Sequence, residues 1–367
     1  MSSPRSDGFF MPPEWAEHER TWMEFPPANE TYGDDPDGQL GFYRDVWASV
    51  TNAIAKFEPV SLIANVGDGP EARRRVGPNV TVYENPIDDS WFRDSGPTFL
   101  VHPDGRLGAT HWTFNAWGNQ GFSRFDDEQY VGRFAAEMAG AQVFASAMVN
   151  EGGGIHVDGD GTVMITRTVQ LDPDRNPDFT AERVEVELKA YLGVDKIIWL
   201  PRGLTQDYER YGTRGHIDIL ASFVRPGVVV AHTQPDPAHP DHLVCLENLR
   251  ILRASTDARG RNLHVVELPA PTILQTDEGW VDYSYINHYV CNGAVILCAF
   301  NDPNDAQAAA ILGDLYPDRE IVLVDATHIF ECGGGIHCIT QQQPKSLVGD
   351  LTSSRFTDER PIETAAM

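Results

Sequence analysis

A five-residue sequence that occurs twice is the strongest constraint on the fold of this chain. Gly-Gly-Gly-Ile-His stands at positions 152–156 and again at 333–337. The two copies share the Ile-His that follows the glycines, so we interpret them as equivalent parts of a repeated unit. The alternative is coincidence in a chain that contains 32 glycines.

The spacing of the apolar residues also indicates a repeated unit. Helical periodicity predicts five amphipathic helices at fairly even intervals, and Thr180 is the predicted N-cap of the third. One helix and about three strands per interval of roughly 50 to 80 residues are typical of a unit that closes into a propeller. The helices are predicted around 42–57, 131–138, 180–191, 243–252 and 306–312, and the strands at 60–66, 163–169, 196–200, 219–224, 228–232, 294–300 and 321–324.

The chain has no internal boundary of the kind that separates domains. No linker, low-complexity tract or block of charge divides its 367 residues, so we expect a single domain over 1–367. The N-terminal segment 1–30 and the C-terminal tail 349–367 are expected to be peripheral.

Acidic residues dominate the charge, with 54 Asp and Glu against 28 Lys and Arg and a net charge of -26. Such a surface repels phosphate backbones and anionic membranes, which argues against a nucleic-acid or membrane partner. It attracts small cations, although solubility alone would explain the bias equally well. The sequence has neither a signal peptide nor an apolar run of about 20 residues, so we expect a cytoplasmic protein.

The cysteines point to reduced thiols. There are five, Cys245, Cys291, Cys298, Cys332 and Cys338, and no two form a C-x-x-C pair. A disulfide framework or a zinc site is therefore not expected. Cys338 follows the second glycine run, where the backbone can approach a ligand closely, so it is the candidate nucleophile. Cys332 is a competing nucleophile, and an inert core thiol is the alternative for Cys338.

Three other segments flanked by glycine carry acidic or basic side chains. They contribute Asp94, Glu151, and the pair His216 and Asp218. A planar, permanently charged guanidinium needs carboxylates that accept its forked N–H donors, and Asp94 and Asp218 suit that task. Asp94 alone would also fit a structural turn before Pro97.

These residue types predict nucleophilic attack on a guanidinium carbon. The Cys338 thiolate would add to the carbon, and His216 would protonate the leaving ammonia and later activate water. Glu151 would keep His216 protonated and oriented. Trp91 and Trp117 are candidates for the wall of a cationic pocket, although tryptophan is more often a core residue. No metal or organic cofactor is needed.

A metal-dependent hydrolase stays open as an alternative. His216 and Asp218, two residues apart, would point the same way if they lay on a strand, which would also suit a metal. The remaining histidines do not show a ligand spacing such as H-E-x-x-H.

The candidate residues lie within a set of longer motifs that is rare in combination. The motifs are Met11 to Trp15, Thr21 to Met23, Asp89 to Pro97, Asn115 to Gly118, Glu151 to Gly153, Arg175 to Pro177, Gly215 to Asp218 and Gly333 to Pro344. On these motifs the chain closely resembles the agmatine deiminase family, which is grouped with the bacterial peptidylarginine deiminases in the guanidine-modifying pentein superfamily. The resemblance implies a five-fold pseudosymmetric α/β propeller of repeated ββαβ-type units with the active site on its axis. It also matches Cys338 to the nucleophile, His216 to the acid/base, and Asp94, Asp218 and Glu151 to the carboxylates of the site.

Two basic residues depart from the family pattern and bear on the substrate. Arg214 stands in the stretch before Gly215, and Arg167 stands where the family commonly has an acidic residue. Arginines would repel the far ammonium of agmatine, so both are candidate substrate-binding residues for a tail that is neutral or carries a carboxylate. The alternative is that both face solvent or pair with acidic neighbours.

The sequence therefore predicts a guanidine deiminase that hydrolyses a small cationic guanidino substrate to a ureido product and ammonia. Agmatine is the default substrate, with arginine, another guanidino acid or a peptidylarginine close behind. An amidinotransferase of the same superfamily and a non-catalytic guanidino-binding protein also stay open. A homodimer is the default oligomer.

Overall fold

The computed structural model describes residues 3–277 and 279–346 and shows a mixed α/β structure. The tail 349–367, expected to be peripheral, lies outside the described residues. Strands are numbered in chain order. They are β1 His18–Glu24, β2 Val60–Ala64, β3 Val80–Glu84, β4 Thr98–Val101, β5 Leu107–Thr113, β6 Gln142–Val149, β7 His156–Val157, β8 Thr162–Thr166, β9 Lys196–Leu200, β10 Ala221–Arg225, β11 Val228–Thr233, β12 His264–Pro269, β13 Gln275–Thr276, β14 Gly279–Trp280, β15 Tyr289–Cys291, β16 Ala294–Ala299, β17 Glu320–Asp325 and β18 Thr340–Pro344.

Helices connect many of these strands. Some are long and amphipathic, and others are single turns close to the candidate active site. They are α1 Gln39–Ile54, α2 Gly69–Arg75, α3 Phe92–Ser95, α4 Ala116–Asn119, α5 Glu128–Met138, α6 Arg167–Gln170, α7 Ala181–Leu192, α8 His242–Ala254, α9 Asn304–Leu315 and α10 Thr327–Phe330. No helix in the described part of the chain is long and apolar enough to cross a membrane.

Four three-stranded sheets share one topology. In each, the first strand runs antiparallel to the second, and the third runs parallel to the second after a helical crossover. The sheets are β4-β5-β6, β7-β8-β9, β10-β11-β12 and β15-β16-β17, and their long crossover helices are α5, α7, α8 and α9.

A fifth sheet repeats this topology with strands from both ends of the chain. Strand β18 pairs antiparallel with β1, and β2 runs parallel to β1 after the crossover helix α1. Strand β3 adds a further parallel strand, and β13 and β14 form a separate hairpin. Much of residues 9–24 is consequently buried, including Phe9, Trp22 and Met23 in the core, contrary to the expectation that segment 1–30 is peripheral.

The five predicted amphipathic helices are present as α1, α5, α7, α8 and α9. The Thr180 side chain accepts a hydrogen bond from the backbone N–H of Arg183 and thereby caps α7. The same helix ends at Gly193, whose φ of 70° places it in the left-handed region that favours glycine at this position.

Three strand boundaries differ by two residues or more from the sequence-based expectation. The strand predicted at 60–66 ends at Ala64. The strand predicted at 219–224 begins at Ala221, because Ile217–Ile219 forms a turn of 3-10 helix. The strand predicted at 163–169 ends at Thr166, and α6 begins at Arg167. Continuous apolar runs are compatible with both conformations, so periodicity alone did not locate these ends.

The first strand of a sheet is generally more buried than the third. The first strands β4, β7, β15 and β18 are entirely buried, whereas the third strands β12 and β17 are partly exposed. These sheets therefore have their first strands in the interior, and the loops that lead into those strands also lie deep in the protein.

Candidate active site

The loops that lead into the five first strands carry the polar residues of the site. The sequence predicts residues in four of these loops, and the loop before β15 contributes a residue that sequence reasoning missed. All of these side chains are buried. In chain order they are Asp94 before β4, Glu151 before β7, His216 and Asp218 before β10, Asn287 before β15, and Cys338 before β18.

The Cys338 thiol points at this group of residues. Its Sγ lies 3.5 Å from Oδ2 of Asp218 and 3.2 Å from Nδ2 of Asn287. A Cβ atom at Gly334 would lie 2.8 Å from the sulfur, so only glycine leaves room for the thiol there. Burial and the negative charges of Asp218 and Asp94 raise the pKa of Cys338 well above its ordinary value, so the free protein holds a thiol at neutral pH.

Three of the predicted residues converge on Gly153. A Cβ atom at this position would lie 2.6 Å from Nδ1 of His216, 2.9 Å from Oδ2 of Asp218 and 2.9 Å from Oδ1 of Asp94. The Gly153 N–H also donates to Oδ1 of Asp94 at 2.9 Å. The first glycine run is therefore required by the close approach of three ionisable side chains.

His216 lies between two carboxylates. Its Nε2 is 3.2 Å from Oε2 of Glu151, and its Nδ1 is 3.8 Å from Oδ1 of Asp94. Burial opposes the imidazolium, but the charges of Asp94 and Glu151 outweigh burial and raise the pKa of His216 to about 9. His216 precedes a 3-10 turn that contains Asp218. The two residues therefore do not lie on one strand, contrary to the expectation.

Arg175 is a buried arginine that binds Glu151. The sequence alone assigns it no role. The Arg175 Nε donates to both oxygens of Glu151, at 2.9 and 3.1 Å. Burial raises the pKa of Glu151, but the charge of Arg175 and the hydrogen bond with His216 reverse the effect and lower the pKa to about 2. Arg175 belongs to the Arg-Asn-Pro motif at 175–177, so the motif marked it without revealing its partner.

Asp94 is positioned by a strained segment. Trp117 donates from Nε1 to Oδ2 of Asp94 at 2.8 Å. Ala116, Trp117 and Asn119 all have φ between 52° and 56°, a left-handed conformation that costs energy in residues other than glycine and is often found at functional sites. Burial raises the pKa of Asp94 to about 6 although the charge of His216 lowers it.

A narrow pocket adjoins Cys338. Asp94, Trp91 and Trp117 line it, and Phe122 stacks on Trp117 with ring centroids 5.7 Å apart. Cys332 also lines the pocket. The complete lining is Trp91, Asp94, Trp117, Phe122, Tyr211, Thr213, Cys332, Gly333 and Cys338.

Asn287 contacts Cys338 and was also missed by sequence reasoning. Its Nδ2 donates to the sulfur of Cys338, and its Oδ1 accepts from the backbone N–H of His337 at 3.0 Å. No glycine run surrounds it, so the pattern that revealed the other loops was absent. Its place immediately before the first strand of the fourth repeat, β15, is the signal that could have found it.

The two candidate arginines have partners outside the pocket. Arg214 Nη1 lies 2.9 Å from Asp172 and 2.8 Å from Asp174. The guanidinium of Arg167 lies over the ring of Trp199, 5.5 Å from its centroid. Neither arginine lines the pocket: Arg214 pairs with acidic neighbours, and Arg167 packs on an aromatic ring.

Cys332 and Cys338 have different surroundings. Burial raises the pKa of Cys332 to about 12, and its neighbours include Tyr43 and Asp89. The Cys338 sulfur, in contrast, contacts Asp218 and Asn287. Within residues 3–277 and 279–346, no group of three or more His, Cys, Asp or Glu side chains is arranged to hold a metal ion.

Comparison with known proteins identifies the family. A Streptomyces avermitilis protein named "Putative agmatine deiminase" is 55% identical over 348 residues, which cover 94% of this chain and 100% of that protein. Agmatine deiminase from Pseudomonas fluorescens SBW25 is 39% identical, covering 94% and 97% of the two chains. The structure of Enterococcus faecalis agmatine deiminase superposes with a TM-score of 0.88 at 32% identity, covering 95% and 99%.

The sequence profile of the Porphyromonas-type peptidyl-arginine deiminases matches residues 10–344, a range that includes every residue of the candidate site. The motifs at the five loops are thus part of one continuous family match and not of a local similarity. The chain belongs to the Porphyromonas-type peptidyl-arginine deiminase family.

Proposed function

We propose that this chain is an agmatine deiminase, which hydrolyses agmatine to N-carbamoylputrescine and ammonia through a covalent adduct on Cys338. The observation that carries the proposal is the approach of the Cys338 sulfur to Asp218, at 3.5 Å, in a pocket that Asp94 also lines. The names of the relatives at 55% and 39% identity support the same substrate.

Asp94 and Asp218 bind the guanidinium in this mechanism. Both carboxylates are buried, and Oδ1 of Asp218 has no hydrogen-bond partner among the described residues. A buried carboxylate oxygen without a donor is costly, and the forked N–H groups of a guanidinium supply such donors. The plane of the guanidinium would then lie above the sulfur.

Substrate binding also activates the nucleophile. The pKa of the Cys338 thiol is raised in the free protein by burial and by the charges of Asp218 and Asp94. A bound guanidinium offsets those two charges and places a positive carbon next to the sulfur, so it favours the thiolate. The thiol proton is released to solvent water, and the sulfur forms a bond to the guanidinium carbon to give a neutral tetrahedral adduct.

His216 acts as the acid and then as the base. Its raised pKa keeps it protonated at neutral pH, so it donates a proton to the leaving nitrogen as the C–N bond breaks and ammonia departs. Water then attacks the remaining S-amidino cation and gives a proton to the neutral imidazole. The C–S bond then breaks as the C=O bond of the urea group forms, and the hydroxyl proton of the adduct passes to the departing sulfur, which regenerates the Cys338 thiol.

The pocket lining favours agmatine over a substrate that has a carboxylate tail. Among the described residues that line the pocket, none is Lys or Arg. Trp91, Trp117, Phe122 and Tyr211 provide aromatic faces that attract a cation and offer nothing to a carboxylate. Arg214 is already neutralised by Asp172 and Asp174 and therefore does not repel an ammonium strongly.

The proposal includes the arrangement of the five sheets. We place them around one axis as a five-fold pseudosymmetric α/β propeller, a pentein, that forms one catalytic domain. Three observations support this arrangement: the shared strand order, the buried first strands, and the meeting of the loops before these strands at one site.

The test is ammonia release from agmatine, arginine and 4-guanidinobutyrate by the wild-type protein and by two cysteine variants. Agmatine should be the best substrate, Cys338→Ala should release no ammonia, and the matched control Cys332→Ala should retain turnover. Turnover by Cys338→Ala, or a preference for a substrate with a carboxylate, would contradict the proposal.

A further inference from the structure

A second line of buried charges connects Asp218 to the N-terminal segment through His337. Nδ1 of His337 is 2.8 Å from Oδ2 of Asp218, and Nε2 of His337 is 2.8 Å from Oε1 of Glu14. Both ring nitrogens of His337 are therefore in hydrogen-bond contact with a carboxylate. All three side chains are almost completely buried, at 2 to 4% exposure.

This arrangement favours a proton on each nitrogen of His337. Two ionised carboxylates both accept hydrogen bonds, and an imidazolium that donates from both nitrogens matches them. The order of charges is then negative at Glu14, positive at His337 and negative at Asp218. Such alternation is the arrangement in which buried charges compensate one another.

Neither Glu14 nor His337 was a candidate in the sequence. His337 precedes the nucleophile in the second glycine run, and Glu14 lies in the N-terminal segment that was expected to be peripheral. The sequence could not reveal that the chain brings them together across 323 residues.

We infer that Glu14 and His337 are positioning residues that keep Asp218 ionised and oriented to bind the guanidinium of the substrate. The inference rests on the proposed function, because Asp218 is assigned there to the guanidinium. In this role Glu14 and His337 do not touch the substrate and act only through Asp218.

The burial of Asp218 explains why its carboxylate needs such positioning residues. Burial raises the pKa of Asp218, and without compensation it would favour a neutral carboxyl that binds a cation poorly. The hydrogen bond and charge of His337 outweigh burial, so the pKa of Asp218 is lowered. Burial and Arg93 lower the pKa of His337, but Glu14 and Asp218 raise it above its ordinary value.

Other charged groups face this line and enter the balance. Arg93 Nη1 lies 3.4 Å from Oε1 of Glu14 and 2.6 Å from Oε1 of Gln341. His156 Nε2 lies 3.5 Å from Oε2 of Glu14. The titratable and charged groups that face Glu14, His337 or Asp218 from the neighbouring elements are Arg93, Asp94, His156, His216, His288, Tyr316 and Cys338.

A direct test reads the charge of His337 without turnover. The protein labelled with ¹⁵N in its 12 histidines is compared with Glu14→Gln, and the His337 signal is assigned by its loss in His337→Asn. We expect an imidazolium at pH 7.5 in the wild type and a neutral ring in Glu14→Gln. A neutral ring in the wild type, or an imidazolium that persists in Glu14→Gln, would overturn the inference.

The kinetic test uses the pH dependence of kcat/KM for agmatine. In Glu14→Gln the acidic limb of the pH profile should move to higher pH by about one unit or more. On the acidic side kcat/KM should therefore fall about tenfold, and it should recover at higher pH. His337→Asn retains one amide donor for Asp218 and should show the same direction of change. An equal loss at all pH values, with no movement of the limb, would show a purely structural role and would refute the inference.

Two further measurements separate the possible failures. Glu17→Gln is the matched control, because Glu17 lies three residues after Glu14 in an exposed ion pair with Lys345. This variant should leave both the histidine NMR spectrum and the acidic limb of the pH profile unchanged. If the wild type does not deiminate agmatine, the proposed function fails while the NMR titration still decides the charge of His337. Thermal unfolding of each variant establishes that it is folded.

Discussion

Replacing Arg175 with Leu should destabilise the protein through Glu151. Arg175 is fully buried and uses its whole guanidinium: Nε contacts Glu151, Nη1 lies 2.8 Å from Asp172, and Nη2 donates to the carbonyl of Thr213 at 2.7 Å. Leucine has a similar apolar body but no charge, so Glu151 would be left with His216 as its cationic partner. The effect should therefore report the energy of an uncompensated buried carboxylate.

The structure sets the magnitude. The pKa of Glu151 is lowered from 4.5 to about 2, and a shift of this size corresponds to about 3 kcal/mol of stabilisation at neutral pH. Breaking a buried ion pair by removing one partner costs about 3 to 5 kcal/mol in other proteins, which agrees. An unfolding entropy of about 2.1 cal/mol/K per residue then predicts that Tm falls by about 4 °C in a chain of 367 residues.

The assay is thermal unfolding followed by circular dichroism at several pH values. Because the pKa of Glu151 is lower in the folded state than in the unfolded state, its stabilisation is present above pH 4.5 and is lost as the pH falls toward 2. The difference in Tm between wild type and Arg175→Leu should therefore be constant from about pH 8 to 5 and shrink below that.

The control is Arg133→Leu, which removes an arginine from an exposed ion pair with Glu137 on α5. Pairs of this kind contribute about 0.5 kcal/mol or less, so its Tm should change by less than about 1 °C. If Arg175→Leu is no more destabilising than Arg133→Leu, or if its deficit grows as the pH falls, the reasoning about Glu151 is wrong.

Three further predictions concern the site. Asn287→Ala should lower kcat about 10- to 100-fold, because a hydrogen bond to a charged sulfur contributes about 1.5 to 3 kcal/mol, and steady-state kinetics with agmatine would measure it. Gly153→Ala should abolish activity, since its Cβ would overlap three ionisable side chains, while Gly121→Ala, where no atom lies within 4 Å, should be fully active. Arg214→Ala should leave the ranking of agmatine over arginine unchanged in competition assays, because Arg214 is paired with acidic neighbours outside the pocket.

The repeated units were predictable because their signals are local. The periodicity of the α7 segment and its Thr180 cap locate that helix without any tertiary information, and the other long helices follow the same rule. Strand ends were less certain, since the apolar residues near Ile219 suit a strand or a turn equally well. That local difference places His216 and Asp218 in a turn, where both reach the same site.

Whether a residue of the candidate site could be recognised from the sequence depends on how far along the chain its contacts lie. Cys338 and Glu151 were selected as candidates because glycine runs mark places where backbone and side chains approach closely. The contacts of Arg175, Asn287 and Glu14 with the candidate site were not foreseen, because they join residues that lie far apart in sequence. Arg214 and Arg167 have partners in the structure that the sequence does not show.

The charges around Cys338 can be counted once these partners are included. Each carboxylate of the site has a cation in contact or close to it, as buried charges require. Four carboxylates are matched by two arginines and two imidazolium rings. The groups are Glu14, Asp94, Glu151 and Asp218 on the acidic side, and Arg93, Arg175, His216 and His337 on the basic side.

This balance constrains how the site can accept a cationic substrate. A guanidinium that enters a compensated, buried cluster adds one positive charge, and an unpaired charge is costly in such surroundings. Loss of the proton from Cys338 removes that charge and leaves a thiolate beside the guanidinium carbon. Binding of the guanidinium and deprotonation of Cys338 are therefore favourable when they occur together, and each is unfavourable alone. In the mechanism that we propose, the charge balance that keeps the thiol protonated in the free protein consequently makes substrate binding the event that favours its ionisation.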